Sequence, residues 1–157
     1  MNIRLFTICL LLCTLFVGTA VAHEEDIDRH RSCEYCGMDR KVYGYSRALV
    51  VYEDGSQTGV CSLHCAITEL NTHKDRKLKQ LLVADRDTHR LIDAKQAIWV
   101  MGGGKRGVMT MTPKWAFATK VAAQAFITAN GGKICTFDEA RKAAEAENNS
   151  PPARHMH

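Results

Sequence analysis

The stretch KVYGYSRALVVYEDGSQTGVCSLHCAITEL, residues 41–70, decides the fold. Its first part is rich in Val and Tyr and breaks at Asp54-Gly55, a pair suited to the positive-φ positions of a two-residue hairpin turn. Residues 56–60 then return as the partner strand. From residue 61 the period changes. Leu63, Ala66, Ile67 and Leu70 fall at i, i+3, i+4 and i+7, the apolar stripe of a helix that packs on a sheet. On that wheel Cys61, His64 and Cys65 cluster on the opposite side, whereas structural cysteines belong inside the stripe. Two thiols and an imidazole placed there are expected to be ligands, or disulfide partners for cysteines elsewhere.

Downstream, residues 71–76 read as a solvated connection and residues 77–85 as a third strand. The pattern then repeats. Residues 94–101 form a strand, residues 102–107 a Gly-rich loop, residues 114–118 a partner strand, and residues 119–130 a helix carrying Val121, Ala122, Ala125 and Phe126 at helical spacing. Asn130-Gly131-Gly132 ends that helix in a left-handed cap, and residues 133–137 return as a strand. Neither unit, about 33–86 or about 90–147, is large enough to bury a good core alone. The expected class is therefore α+β, with two tandem ββαβ units packed as one compact body. A capping box, Thr136-x-x-Glu139, opens a C-terminal helix, and residues 148–157 are expected as a flexible tail.

Upstream of the hairpin lies Cys33-Glu34-Tyr35-Cys36-Gly37-Met38. Thiolate and thioether are soft donors suited to Cu(I), whereas Mg²⁺ or Ca²⁺ would ask for oxygen. On extended backbone Cys36 and Met38 leave from the same face. Met109 and Met111, alternating with threonines after the Gly-rich loop, repeat that geometry, and a mobile loop there could carry a thioether on and off a metal. The expected cargo site is Cys36, Met38 and Met109 or Met111 around Cu(I), with His64 as an outside candidate. An alternative places zinc on Cys33, Cys36, Cys61 and Cys65, whose C-x₂-C and C-x₃-C spacings resemble a zinc knuckle; a disulfide set is a further option. A thiol oxidoreductase using Cys33 and Cys36 is weaker, because a β-rich stretch follows the pair where a helix should start. The glycines are not a P-loop, since no Gly-Lys-Ser/Thr follows at the required spacing.

Residues 1–22 read as a cleavable secretory signal, with one basic residue, an uncharged run and a small-x-small site at Ala20-Val21-Ala22. No lipobox surrounds Cys9 or Cys13, so a soluble periplasmic protein is expected, with membrane association left open. Cleavage would leave Cys33, Cys36, Cys61, Cys65 and Cys135, an odd set that argues against a purely disulfide scaffold. Residues 23–32 are expected to be flexible. His23, beside a new amino terminus, and His155-Met156-His157 could each chelate copper weakly. The net charge of +4 comes from scattered residues without a basic aromatic stripe, which excludes a nucleic-acid partner.

With Cys36-Gly37-Met38, the hairpin-helix unit, Met109 to Met111 near Phe117, and the run from Ala125-Phe126 through Gly131-Gly132 to Phe137-Asp138-Glu139-Ala140, the sequence resembles the NosL family of exported copper chaperones. The resemblance implies a non-enzymatic carrier that delivers Cu(I) to a copper-accepting client, nitrous oxide reductase. It also implies Cys36 and Met38 as the family's Cys-x-Met copper motif, with Met109 or Met111 as its later methionine. Cys33, Cys61 and Cys65 lie outside that motif, which leaves zinc or a disulfide open for them.

Overall fold

The computed structural model describes residues 25–149; the signal segment, His23 and the His155-Met156-His157 tail lie outside the described residues. The chain opens with a short helix α1 (Glu25–Arg29), then β1 (Ala48–Tyr52), β2 (Gln57–Val60), α2 (Leu63–Thr72), β3 (Leu78–Ala84) and β4 (Leu91–Asp93). There follow β5 (Ile98–Met101), β6 (Lys114–Phe117), α3 (Lys120–Asn130), β7 (Lys133–Cys135) and α4 (Phe137–Asn148).

The two units share one topology. The first sheet runs β2-β1-β3-β4 and the second β6-β5-β7, so in each the first strand of the unit is central, its hairpin partner lies on one side and the strand after the helix on the other. All pairings are antiparallel, with Ala48 opposite Val60 and Val83 in the first sheet and Trp99 opposite Ala116 and Cys135 in the second. The first unit adds β4 at its edge, a strand the sequence reading did not anticipate.

Local chemistry sets the turns. Gly55 takes φ +84° in the first hairpin, whose register, with Tyr52 N–H donating to Ser56 O, makes a three-residue turn at residues 53–55 rather than the two-residue turn expected. Gly131 stops α3 at φ +75° and ψ −165°, a positive-φ conformation outside the left-handed helical one expected. Thr119 caps α3 by accepting from Ala122 N–H. Thr136 and Glu139 form the reciprocal capping box at the start of α4. The core joins both units: Val50, Ile67 and Val83 from the first meet Trp99 and Ala116 from the second, and Ala140 and Ala144 of α4 pack into the same cluster. A second cluster, Val100, Trp115, Phe117, Ala123 and Phe126, lies under α3.

Two expectations are corrected. Residues 41–47 are turn rather than strand, so β1 begins at Ala48. The polar segment before Cys33 is ordered from residue 25 as α1, because Asp26 is drawn inward by two buried arginines. Its carboxylate accepts from Arg40 Nη2 at 2.8 Å and from Arg47 Nη2 at 2.9 Å, and both guanidinium groups are fully buried. Arg47 Nε also donates to Asp26 Oδ2 at 2.9 Å, and backbone takes further donors: Arg40 donates to the carbonyls of Asp26, His30, Ala48 and Val60, and Arg47 to those of Gly44 and His89. Burial alone would raise the Asp26 pKa; the two guanidinium groups outweigh it and hold the carboxyl below its ordinary value.

Candidate metal centre

The centre is built on a tight turn at residues 33–38. Gly37 N–H donates to Cys33 O at 2.9 Å and Cys33 N–H to Met38 O at 2.8 Å, closing the loop on itself. Gly37 sits at φ +72°, a conformation that a side chain would strain. Glu34 N–H ties the turn to β2 through Gly59 O. Cys61 follows β2 directly, and Cys65 lies in the first turn of α2, whose unpaired N–H groups and dipole favour negative charge.

These elements bring Cys33, Cys36, Cys61 and Cys65 together, with every Sγ within 4.8 Å of the others. Cys36 and Cys61 are 3.4 Å apart and Cys61 and Cys65 3.8 Å. A tetrahedron with metal–sulfur bonds of about 2.3 Å has edges of about 3.8 Å, so the thiols already stand near the corners of one. All four are free, and only Cys36 is not fully buried. The thiols of Cys61 and Cys65 donate toward Cys33, joined by the backbone N–H groups of Cys36 and Tyr35, and together they lower its pKa despite burial. The same sulfur contacts, with burial, push Cys61 up to about 12 and Cys65 up as well. A metal ion that replaces those protons relieves the crowding of charge.

Around the thiols stands a carboxylate that the sequence reading did not single out. Glu69, 1% exposed, accepts from Tyr35 Oη at 2.6 Å, Tyr52 Oη at 2.7 Å and Thr58 Oγ1 at 2.9 Å. Burial would raise its pKa; the three hydroxyls and His73 hold it below the ordinary glutamate value. Tyr35 lies between the two cysteines of the turn, so Glu69 fixes the ligand loop from behind. Burial and that neighbouring carboxylate push Tyr35 up to about 12. The only hint in sequence was an acid placed one residue from the apolar Leu70 of the helix.

The other sequence candidates are placed as follows. Cys61 and Cys65 do not lie on a free face; they are 0% and 2% exposed within the main core, which also takes in Ala140 and Ala144 of α4. His64 stands apart from the thiols. It is half-buried, its Nδ1 has no partner among the described residues, and burial lowers its pKa. It lines a small internal cavity of about 20 Å³ with Trp99, Val108 and Lys114.

The backbone at Cys36-Gly37-Met38 is a turn rather than extended, with Gly37 at φ +72°. Cys36 joins the thiols, while Met38 lines a groove of about 500 Å³ with Met109 and Met111, beside Tyr43 and Tyr45. The methionine segment is not an extended strand either: Met109 lies at φ +53°. It is fastened by Glu147 of α4, which accepts from Thr110 Oγ1 at 2.6 Å, Thr112 N–H at 2.9 Å and Lys114 Nζ at 3.1 Å. The glycine loop is anchored at its base, where Gly104 N–H donates to Asn130 O and a side chain on Gly103 would collide with the same oxygen. The Cys33–Cys36 pair sits in a turn rather than at a helix start, the arrangement a thiol oxidoreductase would need.

A duplicated α+β scaffold with soft donors gathered at one end of α2 defines a class of metal-handling proteins. The NosL family model matches residues 24–144, and the chain belongs to that family. Among solved structures, the crystal structure of the copper chaperone NosL from Shewanella denitrificans matches with a TM-score of 0.54 and 24% identity, covering 69% of this chain and 87% of that one. No curated protein matches.

Proposed function

We propose that the protein is an exported Cu(I) carrier without catalytic turnover, working in the periplasm and passing its ion to a copper enzyme, with nitrous oxide reductase as the client. The observation that carries this reading is the joint at Cys36-Gly37-Met38. Cys36 belongs to four clustered thiols, and Met38 opens on the groove that also holds Met109 and Met111. A soft monovalent ion can therefore be captured by thiolate and surrendered through thioethers, each client ligand replacing one of the carrier's without the ion being free. Cys36 is the only one of the four thiols that is not fully buried, which suits it as the exchanging donor.

The test is an anaerobic Cu(I) titration of the protein against a chromogenic chelator, beside Cys36→Ser and Met38→Leu. Loss of Cys36 should weaken binding by more than the roughly 10–100-fold typical of outer-shell changes. Parental affinity in both variants would sink the reading.

The 3.4–3.8 Å sulfur separations favour a second reading, in which the four thiols hold a resident zinc that braces the fold. That donor set fits zinc. One equivalent of zinc in anaerobically purified protein, unmoved by Cu(I), would establish it and leave copper to the methionines.

A further inference from the structure

The charged side chains lining the methionine groove are Lys105 and Arg106, both cationic and both exposed. Neither has a hydrogen bond or ion pair among the described residues. The adjoining depression shares Lys105 and Tyr45 with the groove and adds Arg86, Asp87 and His89; its acid, Asp87, is paired with Arg86 at 2.5 Å. Since the loop is fixed at Gly103 and Gly104, the two cations are held at the rim.

A cationic rim gives no advantage in attracting a cation; it opposes one. The charge therefore addresses whatever comes to the groove to take the ion. The floor has the composition of a protein interface: Tyr43 and Tyr45 with ring centroids 6.4 Å apart, and Met38, Met109 and Met111, with Met111 90% exposed and the nearby Val42 65% exposed. The groove is concave and its soft donors line it within reach of solvent, so it suits an inserted segment better than a flat lipid surface.

We propose that this groove is the docking surface for an acidic segment of the copper-accepting protein, in which carboxylates meet Lys105 and Arg106 while soft donors reach the methionines. The proposal rests on the carrier reading above.

The probe is a fluorescent Met-x-x-Met peptide flanked by glutamates, compared with the same peptide flanked by lysines. Binding to the metal-free protein is read by anisotropy at about 10 mM and about 1 M salt, where screening lengths are about 30 Å and 3 Å. The acidic peptide should bind about tenfold tighter at low salt, and the preference should collapse at high salt. Lys105→Glu with Arg106→Glu should reverse it. Lys77→Glu with Lys79→Glu, the same change in net charge at the start of β3 and outside this groove, should leave it intact. Equal affinity for both peptides overturns the proposal, as does an equal loss in both double variants. Binding only to phosphatidylglycerol vesicles, with no peptide preference, overturns it too. A chain that takes up no Cu(I) but keeps the preference would defeat the carrier reading alone.

Discussion

The thiol cluster and the methionine groove meet at Gly37, yet they are opposite kinds of site. Cys33, Cys61 and Cys65 are 0–2% exposed, while Met109 and Met111 are 39% and 90% exposed. Each region is fastened by one helix carboxylate. Glu69 holds the cysteine turn through Tyr35, deep under the sheet, and Glu147 holds the methionine segment through Thr110 and Thr112 at the end of α4. The difference teaches where order is needed. A thiol set must be preorganised to hold charge close together, whereas thioethers that were to pass an ion on, as proposed above, would have to stay reachable.

The largest effect should come from beneath the thiols. Arg40 ties α1 to Val60, next to Cys61, and to Ala48 at the start of β1, so Asp26→Ala leaves two buried guanidinium groups without their carboxylate. Destabilisation of about 3–5 kcal/mol is expected by denaturant titration. The pH dependence follows from the same group. The Asp26 and Glu69 pKa values are depressed in the folded state, so their stabilisation is full above the unfolded values and is lost as pH falls through the folded ones. Unfolding free energy should decline gently from pH 7 to about 5, because burial holds the His64 and His30 pKa values below those of the unfolded chain, and drop more steeply below about 4, with a shallower acid drop in Asp26→Asn. An unchanged slope in that variant would remove Asp26 from the account.

Next is Glu69→Gln, which keeps size but loses charge-assisted bonds to three hydroxyls. A loss of about 1–3 kcal/mol is expected, with metal affinity of the thiols reduced about tenfold. The methionine groove should be unaffected. If Glu69→Gln disturbed groove ligands and thiols alike, the two regions would be one cooperative unit.

How much of this was legible in sequence follows from the range of the interactions. The hairpin at Asp54-Gly55, the helix stops at Gly131 and the Thr136 cap are local chemistry, and the duplicated strand order follows from reading the same pattern twice. The burial of Cys61 and Cys65 was not legible, because the core that takes them in draws on residues far along the chain, among them Trp99, Ala140 and Ala144. Nor was the ordering of α1, which needs Arg40 and Arg47 to reach back to Asp26. The extended-backbone reading of Cys36-Gly37-Met38 failed at a single residue, since glycine's freedom to take φ +72° puts the segment in a turn.

A smaller effect is expected from Glu147→Gln. Lys114, its side chain 3% exposed, would lose its carboxylate partner, and because Glu147 is more exposed than Glu69 a cost of about 0.5–1.5 kcal/mol is expected, confined to the methionine segment. Limited proteolysis between residues 103 and 113 should quicken, while zinc or copper bound by the thiols stays in place.

Met111→Leu should do least to the fold and most to define the groove. At 90% exposure the side chain contributes little packing, so stability should change by no more than about 0.5 kcal/mol. Leucine keeps the bulk and removes the thioether, so any change in Cu(I) transfer rate to a chelator reports sulfur chemistry alone. A slower transfer with unchanged equilibrium affinity is the outcome expected of an exit ligand. An affinity loss as large as that of Cys36→Ser would instead put Met111 on the same ion as the thiols, and the division between a holding region and a releasing one would collapse.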